Sequence, residues 1–379
     1  MKDNHTADRA DGSAGATKKR SPLRHILALL LAVLVLSALF FLFRDRLHGG
    51  TLFSRRPAGS AEAFTYESGT DQVFAVAGDG LAVASGSALQ LLDAAGGAVW
   101  KQVVSYAEPA VFAAEDRVLF CDIGRRSAVL VTLEGESFPL EVSGGIITAS
   151  MNKNGWYALV TEAAGYKGVV RVYNGARELR YEWWSGSGYV LRAALSPDNR
   201  ILAVLCADGS GGVLHFFSLD SENELASAEF PQELAFDLAF LGDGTVCCVS
   251  AEALHFVGTD GAEQGVYDLG DYVLMDYDLG SENFVPLFVS AYRAGTGGFL
   301  LTLDRAGRLL GSAELGENVG SLCARGKQLL LMTGGGLTLY SPELAVQQRA
   351  EMVVTARRAL LRPSGVLLLS AYAAEPFQF

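Results

Sequence analysis

Histidine and cysteine are scarce, with five of each among 379 residues. His5, His25 and His48 lie near the amino terminus, so only His215 and His255 serve the body of the chain. A metal enzyme built on imidazole or thiolate ligands has little material here. Proline is also sparse, at 10 residues, which excludes a collagen-like or mucin-like stalk. Half of the residues are hydrophobic and the mean hydropathy is +0.24, so the chain is not a disordered one. The body has no basic excess either. Residues 1–56 carry 10 Lys and Arg against 4 Asp and Glu, leaving 20 against 38, a charge of −18, for the rest. Such an acidic body repels phosphate backbones, and no nucleic-acid partner is expected. The HExxH, GxxxxGK[ST] and GxSxG motifs are absent, and no EF-hand loop reads through. No cofactor, metal site or catalytic constellation is therefore expected.

One long apolar run is present. Residues 26–43 (ILALLLAVLVLSALFFLF) contain no charge. At ~1.5 Å per residue a helix of this length approaches the ~30 Å hydrocarbon core of a bilayer. Arg24 and His25 precede it, and Arg44 and Arg46 follow, placed to reach the interfaces on both sides. The run exceeds a cleavable signal's apolar region, and bulky Phe40–Phe43 follow the only small Ser-Ala pair. The division expected is 1–24 as a basic cytoplasmic tail, 25–43 as a transmembrane signal anchor contacting the lipid bilayer, 44–60 as a flexible linker, and 61–379 as the folded body. Within about 20 residues of the run, five upstream cations (Arg9, Lys18, Lys19, Arg20, Arg24) against four downstream (Arg44, Arg46, Arg55, Arg56) bias the amino terminus toward the cytoplasm and the body outside. Cys121, Cys206, Cys247, Cys248 and Cys323 argue mildly the other way, being odd in number and without CxxC spacing. Each lies in or beside an apolar run where a thiol serves as a small hydrophobe.

The body repeats itself. Seven segments share an apolar run, a polar turn and a second run, beginning at Ala88, Ala128, Gly168, Val213, Ala253, Gly298 and Leu337. Each reads as a hairpin. A second hairpin precedes each, with turns near Asp79, Asp116, Asn154, Asp198, Asp243, Asn283 and Gly326, and an eighth such turn lies at Ser364-Gly365. Four short strands per ~40–45 residues is the period of a β-propeller blade. The fold expected is all-β: a single β-propeller, eight blades favoured over seven, preceded by one transmembrane α-helix. After the eighth hairpin only AAEPFQF remains, too little for a full blade. The early run AEAFTYES (61–68) is expected to supply the missing outer strand and close the ring.

GGAVW, SPDNRILAV and the hairpin pattern resemble propellers of the quinoprotein-like and WD-repeat-like superfamilies. NGWYALVTEAAGYKGVVRVYN followed by YVLRAALSPDNRILAVL resembles an uncharacterised bacterial family of unknown function. The resemblance implies one N-terminal transmembrane helix and an external propeller, and it lends no activity. Quinoprotein alcohol dehydrogenases carry a disulfide between adjacent cysteines, and Cys247-Cys248 invites that comparison. Here the pair lies in TVCCVS, an apparent strand whose neighbours point to opposite faces.

With strands a to d running outward from the axis, the b–c and d–a loops share one face, and the a–b and c–d turns share the other. The longest b–c loops span 161–168, 207–212 and 290–298, and the d–a loop 183–189 joins them on the same face. Tyr166, Lys167, Trp184, Tyr189, Asp208, Tyr292 and Arg293 are the candidate contact residues, because aromatic and Arg side chains anchor interfaces. His215 and His255, at equivalent strand positions, read as packing residues. Asp276 and Asp278 read as turn-capping or solvated. The function expected is a non-catalytic, membrane-anchored propeller presenting a surface to an envelope protein or wall ligand. The alternative is an envelope lyase, hydrolase or quinone-dependent oxidoreductase with its site in the central channel.

Overall fold

Each of the eight leading hairpins becomes the inner half of a four-stranded antiparallel sheet, and the chain forms an eight-bladed β-propeller. The structure, a computed structural model, describes residues 62–293 and 296–379. The expected tail, membrane anchor and linker lie outside the described residues. Blades 1 to 7 span 73–103, 109–141, 146–185, 189–231, 235–268, 273–315 and 319–351. Blade 8 takes its three inner strands from 358–377 and its outer strand, Phe64–Thr65, from the other end of the body. Innermost strand Val73–Ala77 of blade 1 contacts Pro109–Ala113 of blade 2 and Arg358–Arg362 of blade 8, so the ring is closed. The eight-bladed expectation holds, and the seven-bladed one does not.

Sequence pattern follows position in the blade. The b strands Gly80–Ala84, Tyr157–Thr161 and Thr245–Ser250 are buried throughout, and they read as continuous apolar runs because both their faces meet a neighbouring blade. The outer strand Ser137–Glu141 alternates exposed and half-buried residues, the pattern of a strand with one wet face. The apolar interior divides into eight clusters, each shared by two adjacent blades. No blade buries its faces alone, which is the logic of a repeat array. Cys247 packs between blades 5 and 6 and Cys248 between blades 4 and 5. The adjacent thiols point in opposite directions and are free, as the strand reading required.

The closing strand is short but well held. Phe64 pairs with Ala374 and Thr65 with Ala373. The Tyr66 amide donates to the Tyr372 carbonyl at 3.0 Å, and its hydroxyl donates to the Ser370 carbonyl at 2.5 Å. On the opposite face Arg362 Nη1 donates to the carbonyls of Asp79 (3.1 Å) and Ala94 (3.0 Å), joining blade 8 to blade 1. The Phe64 ring rests on the turn at Gly96, whose φ of +87° and lack of a side chain admit it. Phe64, Tyr66, Leu81, Val83, Leu367 and Leu369 form the shared core of blades 8 and 1. Truncation of a buried Phe typically costs about 3–5 kcal/mol. Phe64→Ala is therefore expected to lower the urea-unfolding free energy by about 3 kcal/mol, whereas the same change at exposed Phe379 leaves it nearly unchanged.

Candidate functional site

The seven sequence candidates fall on the face of b–c and d–a loops, in three groups. Tyr166 and Lys167 end the b–c loop of blade 3, Trp184 is near the end of that blade's outer strand, and Tyr189 begins blade 4. These four meet. The Tyr166 and Trp184 rings lie 4.8 Å apart, tilted by 58°. Lys167 Nζ is 3.1 Å from the Tyr189 hydroxyl and 4.4 Å from its ring centroid. Arg171, which the sequence reading passed over, completes the group. It pairs with Glu182 at 2.6 Å, donates to Ser143 Oγ at 3.1 Å, and lies 5.4 Å from the Trp184 ring. Its signal was a cation interrupting the apolar run GVVRVY.

The other three stand apart. Asp208 accepts from the Ser210 amide (2.7 Å) and hydroxyl (2.6 Å), and these bonds hold its carboxyl below the usual range. Its role is to fold its own loop. Tyr292 and Arg293 belong to the b–c loop of blade 6, and among the described residues no hydrogen bond or ring contact joins them to the blade 3–4 group.

The face has a broader character than those seven residues convey. Leu234, Phe236, Tyr272, Met275, Val353 and Tyr372 are also large, apolar and exposed, and their places in d–a loops, b–c loops and the first turns of inner strands put them on the same face. Tyr292 is the most open aromatic of the set, at 75%. The opposite face exposes fewer and mostly aliphatic side chains, Leu179, Leu225, Leu309 and Val346 at the starts of outer strands and Phe379 at the carboxyl end, so the exposed aromatic residues are the ones that gather on the loop face.

A second candidate lies along the axis. A cavity of about 930 Å³ is lined by the innermost strands of blades 2 to 5 and reaches the a–b turns of blades 6 and 7. A bulge recurs near the start of the innermost strand in blades 3 to 7, at Ile147, Leu191, Phe236, Met275 and Gly320. The extra residue resets the alternation, and the next position is Thr148, Arg192, Asp237, Asp276 and Ser321 in turn. These polar positions are thus structurally equivalent around the ring. Arg192 Nε lies 3.5 Å from Asp237 Oδ1, and the Tyr277 hydroxyl donates to Asp237 Oδ2 at 2.9 Å. At the a–b mouth Lys153 pairs with Glu282 at 3.1 Å, linking the turns of blades 3 and 6. Burial pushes the Asp276 carboxyl up. It pushes Asp278 up to about 6, against bonds from the Gly280 and Ala324 amides and the Arg358 charge. Asp278 caps its turn as expected. Among the described residues no group of three His, Cys, Asp or Glu is arranged to hold a metal ion.

The two histidines are packing residues with acidic partners. His215 Nδ1 is 2.8 Å from Glu224 Oε1 and its ring lies 5.6 Å from Trp183. His255 Nε2 is 3.0 Å from Glu233 Oε2, and Ser250 Oγ donates to the other oxygen of Glu233. This Glu233 bridge ties the d–a loop to strands b and c of blade 5. It leaves the serine bonded to a carboxylate rather than to a general base, unlike a nucleophile triad.

The class of protein is thus an eight-bladed β-propeller with one apolar loop face and a polar channel. Residues 60–267 match a protein family described as "Family of unknown function (DUF5711)", and the chain belongs to that family. The match covers the closing strand and blades 1 to 5. The sequence matches none of the curated proteins. Among solved structures the fold is similar to BamB from Moraxella catarrhalis, at 12% identity and TM-score 0.53, over 84% of this chain and 99% of that one. It is similar to the C-terminal WD40 domain of Sif2, at 11% identity and TM-score 0.55, over 84% and 99%. It is also similar to the dihydro-heme d1 dehydrogenase NirN in complex with DHE, at 13% identity and TM-score 0.55, over 76% and 67%. One of these is named as an enzyme, so the fold leaves catalysis undecided.

The buried carboxyl of Asp278, at the a–b turn of blade 6, gives a pH signature. The folded-state value of Asp278, about 6, stands above its ordinary 3.8, so the native state favours the neutral carboxyl. That contribution is complete below pH 3.8 and is lost as pH rises through about 6. Asp278→Asn keeps a neutral acceptor for the two amides. The variant is expected to match the parent at pH 4 and to exceed it at pH 8 by up to about 3 kcal/mol, measured by urea unfolding.

Proposed function

We propose that this chain is a membrane-anchored, non-catalytic propeller whose loop face binds another protein of the cell envelope. The observation that carries the reading is the gathering of exposed aromatic side chains, Tyr166, Trp184, Tyr189, Phe236, Tyr272 and Tyr292 among them, on the b–c and d–a face. Tyr and Trp bury much area at small entropic cost when a partner covers them, and Lys167, Arg171 and Arg293 supply polar contacts around them. The apolar run 26–43 supports the anchor, and its flanking cations support an external body. A wall ligand held by the same aromatic residues is the neighbouring possibility within this reading.

One observation favours an enzyme instead: the Arg192–Asp237–Tyr277 network on the channel wall, beside the raised carboxyls of Asp276 and Asp278. Positioned groups of this kind serve proton transfer elsewhere. Asp237→Asn separates the two readings, since it disables the channel network and leaves the loop face intact.

Two measurements test the proposal. Protease added to cells stripped of their wall is expected to remove the body and leave a short membrane stub; full protection until lysis overturns the external placement. A photo-crosslinking residue at Tyr189 is expected to give a discrete adduct that Trp184→Ala with Phe236→Ala abolishes without lowering the melting temperature. The same residue at Lys327, on the opposite face, is expected to give none. Equal labelling from both faces, or none from Tyr189, overturns the contact surface.

A further inference from the structure

The acidity of the body is not spread around the ring. Residues 201–292, from the b strand of blade 4 (Ile201–Ala207) to that of blade 6 (Val285–Ser290), hold 16 Asp and Glu and no Lys or Arg. The rest of the body, 57–200 and 293–379, carries 22 against 20 and is nearly balanced. Like charges gathered in one sector repel one another and weaken the compact state, a cost that wider spacing would lower. Little inside the molecule relieves it. Asp237 is paired with Arg192 and Glu282 with Lys153, both cations from outside the segment. Its two histidines each lie on a glutamate, His215 on Glu224 and His255 on Glu233.

The same sector carries part of the exposed apolar surface. Phe236, Tyr272 and Met275, on the loop face of blades 5 and 6, are 38% to 42% exposed. Each has a carboxylate as its chain neighbour: Asp237, Asp271 and Asp276 in turn. Glu252, in the b–c loop of blade 5, and Asp271, in the d–a loop that follows that blade, are exposed. Neither side chain has a hydrogen bond or ion pair among the described residues. Aromatic faces bordered by carboxylates attract cations twice, through the ring quadrupole and through charge.

We infer that the partner of the loop face docks on blades 5 and 6 through a basic segment, its Lys or Arg side chains meeting Glu252, Asp271 and the rings of Phe236 and Tyr272. The inference rests on the loop-face reading and names the chemistry of the partner. Charge complementarity selects this occupant. A second copy would set like charge against like, and an anionic lipid surface is repelled for the same reason. Among the described residues no group of three His, Cys, Asp or Glu is arranged for a metal ion. The acids therefore act as a field over an apolar surface, not as a ligand cage.

The test uses the full-length chain in detergent, with three fluorescent peptides of equal length followed by anisotropy against protein-free micelles. One alternates arginine with tyrosine, one glutamine with tyrosine, and one arginine with serine. The first is expected to bind with a dissociation constant on the order of 10 μM, and the others at least about tenfold more weakly. Raising sodium chloride from about 0.05 to about 0.5 M is expected to weaken it about tenfold. Glu252→Gln with Asp271→Asn is expected to weaken it about fivefold. Glu222→Gln with Asp243→Asn removes equal charge from exposed turns of the same sector on the opposite face. That control is expected to change binding less than about twofold. Both double variants are expected to melt at or above the parent temperature, since each relieves repulsion. The inference is overturned, and the loop-face reading is not, if no peptide binds by about 1 mM or if the glutamine peptide binds as tightly as its arginine counterpart. Equal weakening by the two double variants overturns it by showing a diffuse field. Displacement by about 1 mM calcium, where sodium of equal ionic strength has no effect, overturns it by assigning the acids to an ion. A fall in melting temperature confined to Glu252→Gln with Asp271→Asn overturns it by making those acids structural.

Discussion

Everything this chain presents depends on the closure of a ring by a strand that pairs through two residues, Phe64 and Thr65. A blade has apolar residues on both faces of its inner strands and can cover neither by itself. Seven of the eight shared cores lie between blades consecutive in sequence, and the eighth joins the two ends of the body. Without it, two apolar faces and two strand edges stand open. Its strength comes from outside the strand pair: the Tyr66 hydroxyl on Ser370, the Phe64 ring over Gly96, and Arg362 reaching the carbonyls of Asp79 and Ala94. Sequence-distant contacts of this kind form late, after loop-closure entropy has been overcome. Closure is what turns eight hairpin pairs into a rigid platform for loops.

The ring also imposes a geometry on its axis. Inner strands converge there, and five of them carry the same one-residue bulge. Each bulge tightens the local twist and aligns one polar residue per blade, so scaffold and channel chemistry arise from a single backbone device. Arg192, Asp237 and Tyr277 then satisfy one another, which makes the channel wall tolerable in a body whose other inner surfaces are dry. A network of this type serves stability whether or not it also handles a ligand, and its presence alone does not define an enzyme.

The hairpins, the blade count and the borrowed outer strand were legible because turn chemistry and period-two alternation are local signals. Asp93, Asn174 and Asp304 each accept two backbone amides in equivalent c–d turns, and short polar residues between apolar runs announce such turns. The opposed directions of Cys247 and Cys248 followed from alternation in the same way. The bulges were not legible, since an inserted residue such as Met275 looks like any other apolar strand residue. The exposure of Leu234, Phe236 and Tyr272 was hidden for a related reason: hydropathy does not say which apolar side chains lack a neighbour. Of the seven named contact residues, four gathered because loop and strand termini of blades 3 and 4 adjoin. Asp208 served its own turn, and the blade 6 pair lay elsewhere on the face.

A repeat protein also offers an internal standard for distinguishing scaffold from site. Where a blade agrees with its siblings, as in the dry b strands or the aspartate-led turns, packing and backbone geometry explain the residue fully. Departures need another reason, because the repeat shows that a simpler solution was available at the same position. Arg177 in blade 3 and Leu344 in blade 7 both depart from a glycine that blades 1, 2, 5 and 6 retain. Tyr157 departs by burying a hydroxyl without a partner among the described residues, whereas Thr245, which begins the b strand of blade 5, bonds Gln264. The exposed aromatic residues depart by their distribution, crowding the b–c and d–a face. The scaffold is regular where it must only stand, and the irregular positions fall into three places: the loop face, the channel wall and the cavity between blades 2 and 3. Each has a different chemistry, the loop face apolar, the channel wall mutually paired and the inter-blade cavity aromatic, and no residue belongs to two of them.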